Sequence, residues 1–385
     1  MNTVLITGGA GFIGTHLVDA LQGQAVKIVL VDNFLPQVHK GRDTFSKDLQ
    51  AKAICIVGDI REAAVWKQIA ASHPDIDTVV HLAALTGTGQ SMYALRDYDA
   101  VNCGGTAALL EALLDRREPA HTFANLQNVI LASSRAVYGE GAYHDPGNAS
   151  TGILYPAPRS AEQLARQAWG FHSADGAREL EPTPTPEDAP AQPNSFYGVT
   201  KLVQEQYIRT MLAAAGIPHT LLRFQNVFGP GQSLKNPYTG VIGVFYSNIV
   251  GGRGLDIYED GNVTRDFVYV TDVVAAIVAA IQHPVSGTYN IGSGRFTRLR
   301  EVGQWLCEAL GREVPITCKG MYRVGDIRHN AADIRRAQAV LHYAPLVSVQ
   351  EGLHRYVAWA QTETPMDAAT IAAADEELRV ARLSA

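Results

Sequence analysis

The sequence predicts an α/β fold, a doubly wound parallel sheet with a smaller α/β domain after it, and three observations lead there. First, the β-branched run Thr3 to Thr7 ends in Thr7-Gly8-Gly9-Ala10-Gly11-Phe12-Ile13-Gly14, after which Phe12, Ile13, Leu17, Val18 and Leu21 fall on one helical face. Second, strand-like runs and amphipathic helical stretches alternate through the first part of the chain, as a parallel sheet requires. Third, a second apolar run, Lys27 to Val31, ends at Asp32, about 20 residues beyond the glycines, where an acid can bind two ribose hydroxyls.

Taken in order, strands are expected at Thr3–Thr7, Lys27–Val31, Ala53–Val57, Thr78–Leu82, Asn128–Ser133 and His219–Phe224, with helices between them that include Gly105–Asp115 and Gly198–Ala215. The sixth strand ends the regular pattern. Residues 1–226 are therefore expected to form a Rossmann-type unit, with an insertion at about 144–180. Glycine and proline punctuation, a strand near Leu255–Tyr258 and helices near Asp272–Ile281 and Leu299–Leu310 mark a smaller unit, 227–362. It is placed over the carboxyl edge of the sheet, with 264–283 packing back on the first unit. Residues 363–385, alanine-rich from Asp367, read as a helical tail.

Each glycine of the first turn has a job. Gly8 permits the turn, Gly11 lets backbone N–H groups reach a pyrophosphate at the helix N-terminus, and Gly14 allows close helix-to-strand packing. The interval of three departs from G-x-G-x-x-G. Phe12 and Ile13 open the helix, and Asp32 with Asn33 closes the second strand. No arginine comes directly after them to hold a 2′-phosphate, so the expected cofactor is NAD rather than NADP; the plainer role for Asp32 is a strand-end cap.

Composition excludes several classes. A net charge of −6 leaves no basic footprint for nucleic acid. Cys55, Cys103, Cys307 and Cys318 lack metal-ligand spacing, and twelve histidines form no pair at such spacing, so no metal is expected. Reduced thiols imply a cytoplasmic protein. The first strand begins at Thr3, which leaves no room for a signal peptide, and no apolar run is long enough for a bilayer.

The chemistry comes from Ser134, directly after the fifth strand, and from Tyr197-Gly198-Val199-Thr200-Lys201 at the start of a helix. Positions i and i+4 share a face, so the Lys201 ammonium can lie near the Tyr197 phenol. Tyrosine ordinarily titrates at about 10; a lysine and a cationic nicotinamide ring favour the phenolate, and a shift of about 3 units corresponds to roughly 4 kcal/mol. Tyr197 is thereby expected to act as a general base.

These residues, with His81-Leu82-Ala83-Ala84, Val101-Asn102, Gly105-Thr106, Gly58-Asp59-Ile60, Asn226-Val227-Phe228-Gly229-Pro230, Arg265-Asp266-Phe267-Val268-Tyr269-Val270 and Tyr289-Asn290-Ile291-Gly292, resemble the extended short-chain dehydrogenase/reductases of the nucleotide-sugar epimerase and dehydratase group. The resemblance spans nearly the whole chain. It implies that Asp59 and Ile60 flank the adenine, that Leu82, Ala83 and Ala84 line the cofactor, and that Asn102 supports the site. It also implies that Lys201 grips the nicotinamide ribose. Thr86, Ser134, Arg135, Asn226, Arg265, Arg323 and Asp326 become the candidate substrate contacts, the arginines for a diphosphate and Asp326 for the nucleotide ribose. For Arg265 and Arg323 a surface ion pair is the alternative. Homodimers of the group pack the helix after Asn102 against the one carrying Tyr197; here the apolar faces of these helices (Ala108, Leu109, Ala112, Leu113; Leu202, Ile208, Met211, Leu212) could equally be covered within one chain.

The two positions after Ser134 discriminate among reactions. Dehydratases of the group carry an aspartate and a glutamate there, and decarboxylases a glutamate; this chain has Arg135 and Ala136. Simple oxidation and reduction at one carbinol remains. The expected activity is epimerisation of a nucleotide-diphosphate sugar at carbon 4 through a transient keto sugar, with ketoreduction, or non-catalytic NAD sensing, as the other possibilities. Thr86 to Tyr93, the run from Ser134 to Tyr143, and Leu180 to Asp188 resemble the dTDP-L-rhamnose 4-epimerase branch, which sets a dTDP-L-rhamnose/dTDP-6-deoxy-L-talose substrate beside a UDP-hexose one. The long stretch from Tyr138 to Tyr197 holds a helical pattern, Ser160–Phe171, and a proline-rich return. It is either a flap over the sugar or a surface or oligomer decoration.

Overall fold

A computed structural model describes residues 2–24, 26–39, 41–115, 123–236, 238, 240–381 and 383–384. Its centre is a seven-stranded sheet: β1 (Asn2–Thr7), β2 (Val26–Asp32), β3 (Ile54–Val57), β4 (Thr78–His81), β5 (Asn128–Ser134), β6 (His219–Phe224) and β7 (Gly287–Ile291). The spatial order is β3-β2-β1-β4-β5-β6-β7, and every pairing is parallel. The chain reverses direction across the sheet between β1 and β4, so Thr7, Asp32, His81 and Ser134 line up along one carboxyl edge. Alternation of side chains explains why both faces are dry. Val4, Ile6, Ile28, Leu30, Val80, Ile130 and Leu222 face one core, while their neighbours Leu5, Val29, Val31, Val79, Val129, Leu131 and Leu221 face the other.

Two elements differ from expectation. The sheet gains β7 beyond the sixth strand, paired with β6 from Gly287–Thr220 to Ile291–Phe224. The helix expected over Ser160–Phe171 is cut to Ala161–Ala165, because Gln167 takes a left-handed φ of 57° that an α-helix cannot continue through. Around that turn the long segment forms a small antiparallel sheet in which Ala142–His144 pairs with Ile153–Leu154 and Glu181–Thr183.

Beyond β6 the chain builds short paired strands: Asn226–Phe228 with Phe267–Tyr269, Leu255–Ile257 with Ile316–Cys318, and Thr264–Arg265 with Thr297–Arg298. The helix Val270–Gln282 lies against the helix Phe12–Leu21 at the end of the glycine turn. The tail helix, Ala368–Val380, is tied across the front: Glu377 accepts hydrogen bonds from the hydroxyls of Tyr93 (2.7 Å) and Tyr238, and Leu378 is buried beside Gly89. Among the described residues no helix is long and apolar enough to cross a membrane.

The helix Phe196–Ala214 presents an unusual buried face: Thr200, Lys201, Gln204 and Glu205 point inward, with Ile208 and Leu212 continuing the stripe into the core. Buried polar groups must be bonded or they destabilise the fold. Glu205 takes Ser133 Oγ at 2.5 Å and a two-pronged Arg223 at 2.9 and 2.7 Å, and Arg223 also donates to the Glu187 carbonyl and stacks over Tyr138. Arg223→Met would strand a buried carboxylate and is expected to cost roughly 3–5 kcal/mol in urea unfolding, while the added change Glu205→Leu should restore much of it. Equal loss in the single and double variants would show that the pair does not hold this corner.

Candidate active site

The glycine turn fits a dinucleotide on the protein's own geometry. Gly8 has φ 68°, and a β-carbon there would stand 2.9 Å from the Ala83 nitrogen, so β4 can exit against the turn only over a glycine. A β-carbon on Gly14 would meet the carbonyl oxygens of Gly9 and Gly8 at 2.7 and 2.8 Å; the close packing expected of Gly14 is therefore with its own turn rather than with a strand. No side chain caps the helix at Gly11, which leaves the N–H groups of Phe12 and Ile13 for a phosphate. Asp32 accepts the N–H groups of Ala10 and Phe34, each at 3.0 Å, and lies 3.3 Å from His39, so it braces the turn. At the next strand end Asn33 donates to Asp59 at 3.0 Å. The Arg61 fork, with Asn33 helping, overcomes burial and holds the Asp59 carboxyl down to about 2. Ile60 packs where a β-carbon on Gly105 would stand, 2.6 Å from its Cδ1, which accounts physically for the Gly105-Thr106 pair.

Leu82, Ala83 and Ala84 leave β4 half-buried beside Gly8. Just below them a buried chain of polar groups runs Thr7–His81–Thr106–Gln204, at 2.8, 3.0 and 2.6 Å. Burial, then the Lys201 charge, push His81 down to about 3, so its ring is neutral. Thr106 Oγ1 donates to the Asn102 carbonyl and must accept from His81 Nε2–H, leaving Nδ1 to accept from Thr7. Asn102 is fully buried. Its side chain bonds Leu85 N at 2.8 Å, Leu85 O at 3.1 Å and Thr200 Oγ1 at 3.0 Å, which makes it a clamp between the loop after β4 and the helix of Tyr197.

Ser134 caps the short turn Arg135–Tyr138 by accepting from Ala136 N at 3.1 Å. Ser195 caps the Tyr197 helix in the same way, through Gly198 N, and Tyr197 N donates to Ser91 Oγ at 2.9 Å. Gly198 sets the spacing between these elements. A β-carbon on it would stand 2.5 Å from the Ala136 carbonyl oxygen, so only glycine lets the helix come this close to the Ser134 turn. Burial pushes the Tyr197 phenol above its ordinary value; hydrogen bonding to Ser134 and the charge of Arg135 pull the other way without reversing it. The expected lowering invokes a nicotinamide cation as well as Lys201, and the protein's own groups do not produce it alone. Lys201 is itself buried and pushed down to about 7, against the pull of Glu205 and Cys103, so it is a weaker electrostatic partner than an exposed lysine.

The candidate substrate groups converge from several loops. Arg265 is buried and pairs with Asp326 at 2.6 Å. Burial alone would raise the Asp326 carboxyl, but Arg265, Arg323 and Arg135 hold it below its ordinary value. Arg135 is pushed down to about 10 by burial and by Arg265. Among the described residues the buried Asn226 Oδ1 and Arg323 Nε have no hydrogen-bond partner, as a polar ligand site allows. Arg323 is turned elsewhere, over the Tyr258 ring and to Asp375 of the tail helix at 3.1 Å. Thr86 stands at the rim, its carbonyl holding Tyr98. Sequence reasoning missed Glu140, Arg159 and Glu259, which join Arg328 in a buried ionic cluster behind Asp326, with Asp260 closing it at the exposed end. Their spacing in the chain carries no motif. Among the described residues no group of histidine, cysteine or acidic side chains could hold a metal.

Lys201 gives a pH signature. Its value falls from 10.5 to about 7, so the folded state carries a penalty of roughly 5 kcal/mol for the buried charge below pH 7, which fades as pH rises toward 10.5. Lys201→Met should therefore melt above the parent at pH 6, with the advantage shrinking steadily to pH 10. A pH-independent difference would mean that the lysine is not desolvated.

The chain is similar to known proteins in sequence and in fold. The family model described as the NAD dependent epimerase/dehydratase family matches residues 4–168 and 173–292. A dTDP-L-rhamnose 4-epimerase of Burkholderia thailandensis is 37% identical over 367 residues, 94% of this chain and 95% of the relative. The crystal structure of a UDP-glucose 4-epimerase of Thermotoga maritima with UDP-glucose superposes with a TM-score of 0.74 at 27% identity, covering 94% of this chain and 99% of that one. A UDP-glucuronic acid 4-epimerase of Bacillus cereus, in complex with UDP-glucuronic acid and NAD, gives 0.70 at 26% identity, with 94% and 99% covered. With the glycine turn, Asp32 and the Ser134/Tyr197/Lys201 group on one sheet edge, the chain belongs to the NAD-dependent epimerase/dehydratase family.

Proposed function

We propose that this chain is an NAD-dependent nucleotide-sugar 4-epimerase. The observation that carries the reading is the neighbourhood of Tyr197: Arg135 and Ala136 follow Ser134, and among the described residues Ser134 and Arg135, not a carboxylate, are the groups that act on the phenol. Elimination and decarboxylation need an acid or base there, whereas epimerisation needs only a proton moved off and back onto one hydroxyl. NAD supplies the hydride acceptor and donor. In this assignment Gly8, Gly11, Phe12, Ile13, Gly14, Asp32, Asn33, Asp59, Ile60 and Leu82–Ala84 hold it, and Asn102 fixes the wall. Ser134 hydrogen-bonds the reacting oxygen, Tyr197 carries its proton, and Lys201 orients the ribose. Thr86, Arg135, Asn226, Arg265, Arg323 and Asp326 take the nucleotide sugar, with residues 1–226, completed by the helix Val270–Gln282 and β7, as the cofactor unit and the rest of 227–362 as the substrate unit. The 37% identical relative favours a dTDP-6-deoxy-L-hexose of the rhamnose/talose type, with a UDP-hexose as the second choice.

The enzyme is proposed to be a cytoplasmic homodimer, in keeping with four free cysteines. Leu109, Leu113, Ile208 and Leu212 are consumed inside the chain, so they cannot form the contact. The remaining outer face is a groove between the two helices lined by Ala107, Glu111, Leu114, Tyr207 and Met211, with Tyr207 and Met211 exposed.

Incubation with dTDP-, UDP-, GDP- and CDP-sugars, with proton NMR of the sugar as the readout, should show two carbon-4 epimers interconverting without added cofactor. Tyr197→Phe should lose at least about a hundredfold in turnover while retaining NAD, the scale of a general-base contribution. A need for stoichiometric NADH would make the protein a ketoreductase instead, and an undiminished Tyr197→Phe would remove the assigned base.

A further inference from the structure

The long segment between Ser134 and Tyr197 sends one charged side chain into the interior. Arg159 precedes the short helix Ala161–Ala165, and its side chain is 1% exposed. Nη1 meets Glu259 at 2.8 Å, Nε faces Glu140 at 3.6 Å, and Nη2 donates to the Asp326 backbone carbonyl at 3.1 Å. Glu259 is shared with Arg328 at 2.9 Å, and Glu140 accepts the Arg328 backbone N–H at 3.0 Å. Four stretches that are distant in the chain thus meet at one guanidinium.

Burying such a group is costly unless its partners are well placed, and removing it would leave Glu140 as a buried acid without its cation and Glu259 with Arg328 alone. A decorative insertion has no reason to carry that cost. Asp326 joins this cluster to the candidate substrate site, since its carboxylate holds Arg265 at 2.6 Å while its carbonyl holds Arg159.

We propose that Arg159 is a positioning residue for nucleotide-sugar binding: through the Asp326 carbonyl it fixes the 323–328 loop so that Arg265 and Asp326 meet the nucleoside diphosphate. The long segment is then a part of the binding site, neither a free flap nor decoration. This rests on the nucleotide-sugar reading above, and the test separates the two.

Arg159→Gln and Arg159→Lys are compared with the parent and with Arg166→Gln, whose side chain lies on the same segment in an exposed pair with Glu162. Calorimetric titration with dTDP and with UDP, retained NAD, and KM and kcat for the interconverted sugar are measured. Arg159→Gln should weaken nucleoside-diphosphate affinity and raise KM by about tenfold or more, the factor one charge-assisted hydrogen bond commands, with kcat and NAD content little changed. Lysine keeps the charge but cannot span both Glu259 and Asp326, so it should fall between. Arg166→Gln should match the parent. Parental affinity in Arg159→Gln, or a loss confined to kcat, overturns the proposal; if the glutamine variant does not fold, parental affinity in Arg159→Lys does the same. A protein that epimerises no sugar but binds dTDP or UDP in an Arg159-dependent way refutes the enzymatic reading and keeps this one. Failure of the parent to bind either nucleotide removes both.

Discussion

The buried polar stripe of the helix Phe196–Ala214 is the constraint on which the rest of the site depends. Thr200 reaches Asn102, Gln204 reaches Thr106, and Glu205 reaches Ser133 and Arg223, so one helix binds the exits of β4, β5 and β6 together. Each bond is obligatory because the groups have no water to turn to. The approach of this helix to the Ser134 turn is tightest at Gly198, where an added β-carbon would meet the Ala136 carbonyl oxygen and the Pro193 ring. Tyr197 and Ser134 are consequently held by backbone packing rather than by their own flexible contacts, which is what preorganisation of a proton-transfer pair requires.

The same burial has an electrostatic consequence. It raises the Tyr197 phenol and lowers Lys201 to about 7, so the protein by itself stores the base in its neutral form. The phenol becomes a base only where further positive charge reaches it. A resting site of this kind avoids holding a bare phenolate in a buried place, and it would couple base strength to any cation brought beside the phenol.

How much of this was legible depends on where the information lies in the chain. The strand His219–Phe224 and the helix Leu299–Leu310 were readable to the residue because their periodicity is local and uninterrupted. β7 was not: Gly287–Ile291 carries Thr288 and Asn290 in a short run, and only its pairing with β6 makes it a strand. The helix over Ser160–Phe171 failed for the opposite reason, local propensity being overruled at Gln167. Ser134, Tyr197, Lys201 and the glycines announced themselves by spacing. Arg159 and Glu259 lie far apart in sequence, and no local pattern can predict that they meet.

The charge balance of the cluster finally says what kind of ligand the site is built to receive. Arg159, Arg265 and Arg328 are matched by Glu140, Glu259, Asp260 and Asp326, and Arg323 by Asp375. Arg135 alone of this group has no carboxylate within ion-pair distance among the described residues, although it is half-buried and feels the charge of Arg265. The charges named are balanced, five arginines against five carboxylates, and Arg135 feels Asp326 and Glu140 from a distance without an ion pair to either. An anion entering beside Arg135 gains attraction without breaking an existing pair, whereas a neutral ligand gains none. Such an arrangement favours a charged ligand over a neutral one before any hydroxyl is read.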